Sequence, residues 1–165
     1  MGGTDPEMLD RQALRRVYGT FPSGVVAVCG SGVDGPVGLV ASSFTSVSME
    51  PALVSFCIQN DSTTWPRLAT LARLGVSVLG VGHGLACRQL SLKTGDRFAG
   101  LGVTSTATGA LFIDGASAHL ECTVEQVVPA GDHGIVLMRV LAATVEDVEP
   151  LVFHASTFRV LAAAS

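Results

Sequence analysis

A dense run of hydroxyl side chains is the part of this sequence best suited to hold a ligand. It lies in the segment VASSFTSVSMEP, residues 40–51, whose polar members are Ser42, Ser43, Thr45, Ser46, Ser48 and Glu50. Apolar runs typical of buried strands flank it on both sides. Hydroxyls near a core cost stability unless they are paired, whereas beside a polar or anionic ligand they act as donors. The segment is therefore predicted to line a cofactor site, with Phe44 and Val47 anchoring it to the core. The alternative is a polar edge strand or turn in water.

Hydroxyls also cluster at Ser62, Thr63 and Thr64, where a helix is predicted to begin. The first backbone N–H groups of a helix have no partner within the helix and can hold a phosphate. Ordinary N-capping by hydroxyl side chains uses the same geometry. Capping alone, and capping combined with phosphate binding, therefore both stay open for this cluster.

Two cations, Lys93 and Arg97, stand on either side of a turn that contains Gly95. Arginine offers a planar fork and lysine a point charge, so the pair is suited to clamp a dianionic phosphate. Cations are also favoured near the C-terminus of a helix, which makes solvated surface charge the alternative.

His133 lies in the stretch GDHG, residues 131–134, just before a predicted strand. Loops at sheet ends often carry function, although an ordinary polar turn has the same composition. The stretch GVGHG at residues 80–84 imitates a dinucleotide fingerprint, but its third glycine comes one position early. The chain has no nucleophile elbow, and its histidines lack metal-ligand spacing. A bound cofactor is therefore expected to carry the chemistry.

The elements that must position these residues follow from the hydrophobic pattern. Helices are predicted over residues 9–21, 66–71 and 85–92, and strands over residues 24–29, 37–41, 52–58, 76–81, 111–113, 119–127, 135–145 and 152–160. Residues 30–36 are rich in turn formers, and Leu120, Cys122 and Val124 alternate with polar residues and are expected to face inward. Many short strands without regular βα alternation predict a mostly β fold, an antiparallel barrel with peripheral helices.

The composition indicates a single domain over residues 9–161 after a frayed tail at residues 1–8. Of the 165 residues, 48% are hydrophobic and 15% charged, which favours a homodimer with an apolar interface. The net charge of −4 and the lack of a basic cluster make nucleic acid a poor partner. No apolar run reaches the roughly 18 residues of a membrane span, and no secretory signal is visible. The cysteines lie in apolar runs and are predicted to be buried, which fits a reducing cytoplasm: Cys29, Cys57, Cys87 and Cys122.

Six segments, taken together in this order and spacing, resemble those of one family. They are FPSGVVAV at 21–28, GLVASSFTSVSMEPALV at 38–54, STTWP at 62–66, LKTGDRFAG at 92–100, LECTVE at 120–125 and AGDHGIVLMRV at 130–140. Over residues 14–158 the chain resembles the flavin reductase family, the reductase components of two-component flavin-dependent monooxygenases. The resemblance implies a split β-barrel of the FMN-binding type, usually a homodimer with flavin near the interface. It also implies hydride transfer from NADH or NADPH to FMN or FAD, and a partner monooxygenase.

The resemblance also implies roles for individual residues. His133 matches a histidine that lies near the nicotinamide. The residues expected to contact the flavin are Val40, Ala41, Ser42, Ser43, Ser62, Thr63, Lys93, Arg97 and Phe98. The chain departs from the family pattern at residues 153–158, FHASTF, where a glycine is missing. This departure supports a second hypothesis, a flavin carrier without reductase turnover.

Overall fold

The computed structural model describes residues 10–164, so the predicted tail at residues 1–8 lies outside the described part of the chain. The strands are β1 (Ser23–Gly24), β2 (Val26–Gly32), β3 (Gly35–Ala41), β4 (Thr45–Met49), β5 (Ala52–Gln59), β6 (Leu74–Val78), β7 (Val103–Ser105), β8 (Leu111–Ile113), β9 (Ala118–Ala130), β10 (His133–Val145), β11 (Val152–His154) and β12 (Thr157–Arg159). The helices are α1 (Arg11–Gly19), α2 (Trp65–Ala69) and α3 (Gly84–Leu90), and a 3-10 turn spans Val81–His83. No helix among residues 10–164 is long and apolar enough to cross a bilayer.

A seven-stranded antiparallel sheet forms the body of the molecule, in the order β3-β2-β6-β9-β10-β5-β4. Strands β3 and β4 follow each other in sequence but occupy its two opposite edges. The sheet is open, as a split barrel requires, and the mostly β antiparallel prediction is confirmed. Two smaller sheets, β1-β11-β12 and β7-β8, stand beside it.

Strand β2 is buried on both faces because it separates two hydrophobic clusters. Side chains alternate across a strand, so Val26 and Val28 enter a first cluster while Ala27 and Cys29 enter a second. Phe56, Leu74 and Met138 belong to the first cluster. The second cluster lies under α3 and contains Leu90 and Phe98, among others.

The longest hairpin joins β9 to β10, with Gly131 and Asp132 between the paired residues Ala130 and His133. Gly131 adopts φ +66°, a conformation that glycine reaches without strain. The predicted alternation in β9 is confirmed: Cys122 is fully buried, and Leu120 and Val124 pack against the first cluster.

The turn-rich stretch 30–36 joins β2 to β3 in a hairpin, and the two strands pair as far as Gly32 and Gly35. One local prediction is wrong. The segment 152–160 is a hairpin of two short strands rather than one strand. It turns at Ala155 and Ser156, whose φ values of 49° and 60° are left-handed and uncommon for residues other than glycine.

Gly75 sets how closely β8 approaches β6. A Cβ at this position would lie 2.1 Å from the backbone oxygen of Leu111, which cannot move like a side chain. We expect Gly75→Ala to lower the free energy of unfolding by about 3 kcal/mol in urea titrations. Gly82→Ala is the control, since a Cβ there meets nothing within 4 Å, and its effect should stay within about 0.5 kcal/mol. Equal stability of the two variants would contradict this account of the contact.

Candidate functional site

A cleft of about 780 Å³ opens where the end of β3, the end of β5 and the start of β10 meet. The loop before α2 and the turn at Lys93 complete its wall. It brings together predicted residues that are far apart in sequence: Val40, Ala41, Ser42, Ser43, Ser62, Thr63, Lys93 and His133. Leu39, Val40 and Ala41 make one side of it apolar, whereas the opposite end is polar and carries the charges of Asp61 and Lys93 beside Ser62 and Thr63.

Arg97 and Phe98 line a second, polar cleft of about 300 Å³ rather than the first. The two clefts share Thr63 and Lys93. Arg97 is half-buried and donates through Nη1 to Thr64 Oγ1 at 2.7 Å and to the Gly38 carbonyl at 3.3 Å. Phe98 is a member of the second hydrophobic cluster. Its ring therefore supports the cleft floor from the core side.

The two adjacent serines of the hydroxyl segment differ in what they contact. Ser43 Oγ accepts a hydrogen bond from the Cys57 N–H at 2.8 Å and donates to the Cys57 carbonyl at 3.3 Å. Ser42 is exposed, and within residues 10–164 its hydroxyl has no hydrogen-bond partner. Ser42 is thus free to contact a ligand, while the Ser43 hydroxyl is committed to β5.

The rest of the hydroxyl segment fits the alternative interpretation. Residues 45–49 form β4, an edge strand of the sheet that is mostly exposed. Phe44 packs against the first cluster as predicted. The prediction for Val47 is wrong, because 51% of its surface is exposed.

At the second hydroxyl cluster the N-cap of α2 is Thr64, whose side chain makes no capping hydrogen bond, and Ser62 makes the contact to the first helical residue instead. Ser62 Oγ accepts from the Trp65 N–H at 3.1 Å, so its own hydrogen stays available to a ligand. Thr63 caps nothing and lines both clefts. Because α2 has only five residues, its dipole adds little, and anion binding here must rely on side chains.

His133 is held at the cleft by a fixed loop. Its Nδ1 lies 2.7 Å from Asp132 Oδ1. Asn60 fastens the loop twice, from its backbone N–H to the Asp132 carbonyl at 3.0 Å and from Nδ2 to the Gly131 carbonyl at 3.1 Å. The hydrogen bond from His133 lowers the pKa of the Asp132 carboxyl, and a nearby charge, Arg11, acts in the same direction. An ionised carboxylate can only accept a hydrogen bond, so the Nδ1–H of His133 is the donor to Asp132 Oδ1.

His83 differs from His133 because both of its ring nitrogens contact the backbone. Its Nδ1 accepts from the Gly80 N–H at 3.0 Å, and its Nε2 lies 3.0 Å from the Asp114 carbonyl. The GVGHG stretch therefore forms a 3-10 turn after a strand of an antiparallel sheet, whereas a dinucleotide fingerprint belongs to a parallel βαβ unit.

The burial prediction holds for three cysteines and fails for the fourth. Burial raises the pKa of Cys29 and Cys122 to about 12 and that of Cys87 to about 11, so these thiols stay protonated near neutral pH. Cys57 is exposed and lines the first cleft. Cys57 lies near the end of β5, at the opening of the first cleft. The continuous apolar run in the sequence does not reveal this exposure.

Arg67 is the main site residue that the sequence reasoning missed. It lines the second cleft together with Thr64, Lys93 and Arg97. A signal was present, because Arg67 follows Thr63 and Thr64 at the spacing that places side chains on one face of a helix.

The arrangement can bind a ligand with a flat ring and a phosphate. The apolar wall of the first cleft suits a flat ring, and the hydroxyls and cations of the two clefts suit a phosphate. Within residues 10–164 no group of three metal-ligating side chains comes together.

Comparisons with known proteins point to one family over most of the chain. The model of the flavin reductase like domain matches residues 18–162. The NADH-dependent FAD reductase of Streptomyces globisporus is 43% identical over 145 residues, 85% of this chain and 78% of that protein. A reductase subunit of a flavin-dependent monooxygenase from Rhodococcus jostii is 30% identical over 154 residues, 93% of this chain and 79% of the relative.

Solved structures give the same result. The NADH:FAD oxidoreductase of Streptomyces globisporus superposes with a TM-score of 0.89 at 38% identity, covering 100% of this chain and 99% of that one. The domain match, the identity and the shared fold all extend over nearly the whole described chain. The chain belongs to the flavin reductase family.

Proposed function

We propose that this chain transfers a hydride from a reduced nicotinamide nucleotide to a flavin and supplies that flavin to a partner monooxygenase. The observation that carries the proposal is the convergence of Ser42, Lys93 and His133 in one cleft. These residues come from the end of β3, the turn after α3 and the start of β10. No two of them are neighbours in sequence, so their convergence is a property of the fold.

The residues of the first cleft fit a flavin mononucleotide moiety. Val40 and Ala41 offer an apolar wall to the flat ring, and the free hydroxyl of Ser42 can reach its polar edge. Ser62, Thr63 and Lys93 stand at the far end, where a phosphate would receive two hydroxyl donors and one cation. When bound, the flavin supplies a ring that accepts a hydride.

The protein contributes position rather than acid or base strength. Hydride transfer requires two rings in contact with water excluded, so holding them in place supplies much of the rate. His133 stands on the rim of the cleft, and its hydrogen bond to Asp132 fixes the plane of the imidazole. We assign His133 to contact with the nicotinamide.

The choice of nucleotide is proposed from the relatives. One is named an NADH-dependent FAD reductase, and a solved structure similar to this chain is described as a complex with NAD and FAD fragments. NADH is therefore the proposed donor. The partner is proposed likewise, because relatives are named as reductase subunits of flavin-dependent monooxygenases.

A homodimer is proposed from an apolar face beside the cleft. Ile135 pairs with Cys57 on one side and Val128 on the other, so the three side chains share one face of the sheet. All three are exposed in the single chain. Because Cys57 also lines the first cleft, a second copy on this face would border the flavin.

The reductase proposal is tested by the oxidation of nicotinamide. The purified chain with added FMN or FAD should oxidise NADH faster than free flavin does, followed at the nicotinamide absorbance band. Flavin that stays bound through gel filtration but is not bleached by NADH or NADPH would favour the carrier hypothesis instead. Absence of both binding and turnover would overturn both.

The role of His133 is tested by its removal. His133→Ala should lower kcat/KM for NADH by about tenfold to a hundredfold, because the nicotinamide loses its positioning contact. Flavin affinity, measured by fluorescence quenching, should change little. Asp132→Asn should give a smaller decrease, since it keeps the loop but weakens the orienting hydrogen bond. Unchanged NADH kinetics in His133→Ala would remove this residue from the site.

The dimer proposal is tested with a charge on the apolar face. The wild-type chain should have the mass of two chains in light scattering, and Ile135→Glu should shift it to one, because an unpaired carboxylate would be buried. Val33→Glu adds the same charge at a hairpin tip that is fully exposed, and it should leave the mass unchanged. A monomeric wild type at micromolar concentration would contradict the proposal.

A further inference from the structure

We propose that the second cleft binds the second phosphate of FAD, so that the chain prefers FAD to FMN and Arg67 makes the distinction. This inference rests on the proposed function and concerns the identity of the flavin within it. Its basis is the position of the second cleft and the charges that line it.

The second cleft continues the first beyond the point where a mononucleotide would end. Thr63 and Lys93 line both, so the predicted phosphate position is their junction. From there the second cleft extends along Thr64 and Arg67 on one side and along residues 94–97 on the other. A ligand whose ring occupies the first cleft enters the second only if it carries a further group beyond its first phosphate. FAD carries such a group, and FMN does not.

The charges of the second cleft match a diphosphate. Three cations line it, Lys93, Arg67 and Arg97, against one carboxylate, Asp96. Asp96 Oδ1 already accepts from the Phe98 N–H at 2.9 Å. Among residues 10–164 neither Arg67 nor Lys93 forms an ion pair. Two cationic side chains are therefore available to a dianionic group.

The side chain of Arg97 is already held in position in the second cleft by contacts within the chain. Its guanidinium is held by Thr64 Oγ1 and by the Gly38 carbonyl, so little side-chain freedom remains to be lost when it meets an anion. The guanidinium fork has five N–H donors, and within residues 10–164 these two contacts are the ones it makes. Polar side chains surround it, namely Thr63, Thr64 and Thr94.

Arg67 distinguishes the two flavins because it lines the second cleft and not the first. Lys93, in contrast, stands at the junction and should serve either flavin. Thus removal of the Lys93 charge should weaken the binding of FMN and of FAD alike, whereas removal of the Arg67 charge should weaken the binding of FAD alone. Riboflavin has no phosphate and should be insensitive to both changes.

The experiment compares riboflavin, FMN and FAD binding by fluorescence quenching at fixed ionic strength. It uses the wild-type chain, Arg67→Gln, Lys93→Gln and the control Arg15→Gln, an exposed arginine on α1 outside both clefts. The wild type should bind FAD more tightly than FMN. Arg67→Gln should raise the Kd for FAD about tenfold and that for FMN less than about twofold, as expected for one charge-assisted contact. Arg15→Gln should change neither Kd, and melting temperatures should show that every variant is folded.

Three results would overturn the inference while leaving flavin binding intact. The first is equal wild-type affinities for FMN and FAD. The second is an unchanged Kd for FAD in Arg67→Gln, and the third is an equal rise of the Kd values for FMN and FAD in Arg67→Gln. The last would mean that the second cleft holds the phosphate of the mononucleotide itself. If no flavin binds to the wild-type chain, the proposed function fails as well, so the two failures are distinguishable.

Discussion

The hydrogen bonds between Ser43 and Cys57 are the contact on which the shape of the site depends. After β3 the chain crosses from one edge of the open sheet to the other, where it becomes β4. Since β4 pairs with β5 only from Thr45 onward, the Cys57 N–H and carbonyl would lack partners on that side. The Ser43 hydroxyl satisfies both, at a net gain of about 1 kcal/mol for each bond. It thereby holds the wall that carries Val40, Ala41 and Ser42 against the end of β5.

Because of this contact, the two adjacent serines have different roles. Ser43 completes the backbone hydrogen bonding of β5, and Ser42 keeps an unoccupied hydroxyl at the opening. A similar division occurs before α2, where Ser62 accepts a hydrogen bond from the Trp65 N–H and Thr63 lines both clefts. In each pair one hydroxyl stabilises the fold and its neighbour is available to the ligand.

The distribution of charge follows from the same architecture. Among the described residues that line the first cleft, Asp61 is the carboxylate, and the neighbouring Asp132 is engaged with His133. Lys93 and Arg97 lie on the turn after α3, and Arg67 lies opposite them on α2. Because residues 93–96 are exposed, the site stays open to solvent at the end where a phosphate is expected. An open polar end is consistent with a flavin that must leave in order to reach another protein.

Much of this molecule followed from the sequence. Alternation in β9 identified Cys122 as an inward residue, a continuous apolar run identified β5, and the hydroxyls, cations and His133 were recognised as site candidates from their types. These are local properties, governed by the period of a strand and by the hydrogen-bonding capacity of a side chain. The six segments resembling a known family added the fold and the expected ligand.

Tertiary structure decided which of several chemically equivalent residues contacts the backbone and which lines a cleft. Nothing local separates Ser42 from Ser43, because the difference lies in the backbone of Cys57, fourteen positions away along the chain. Cys57 is exposed where it lines the first cleft near the end of β5. Arg67 became a candidate only when α2 was placed opposite residues 93–97. Composition and periodicity determine whether a residue is buried or polar, whereas its partners depend on segments that only the folded chain brings together.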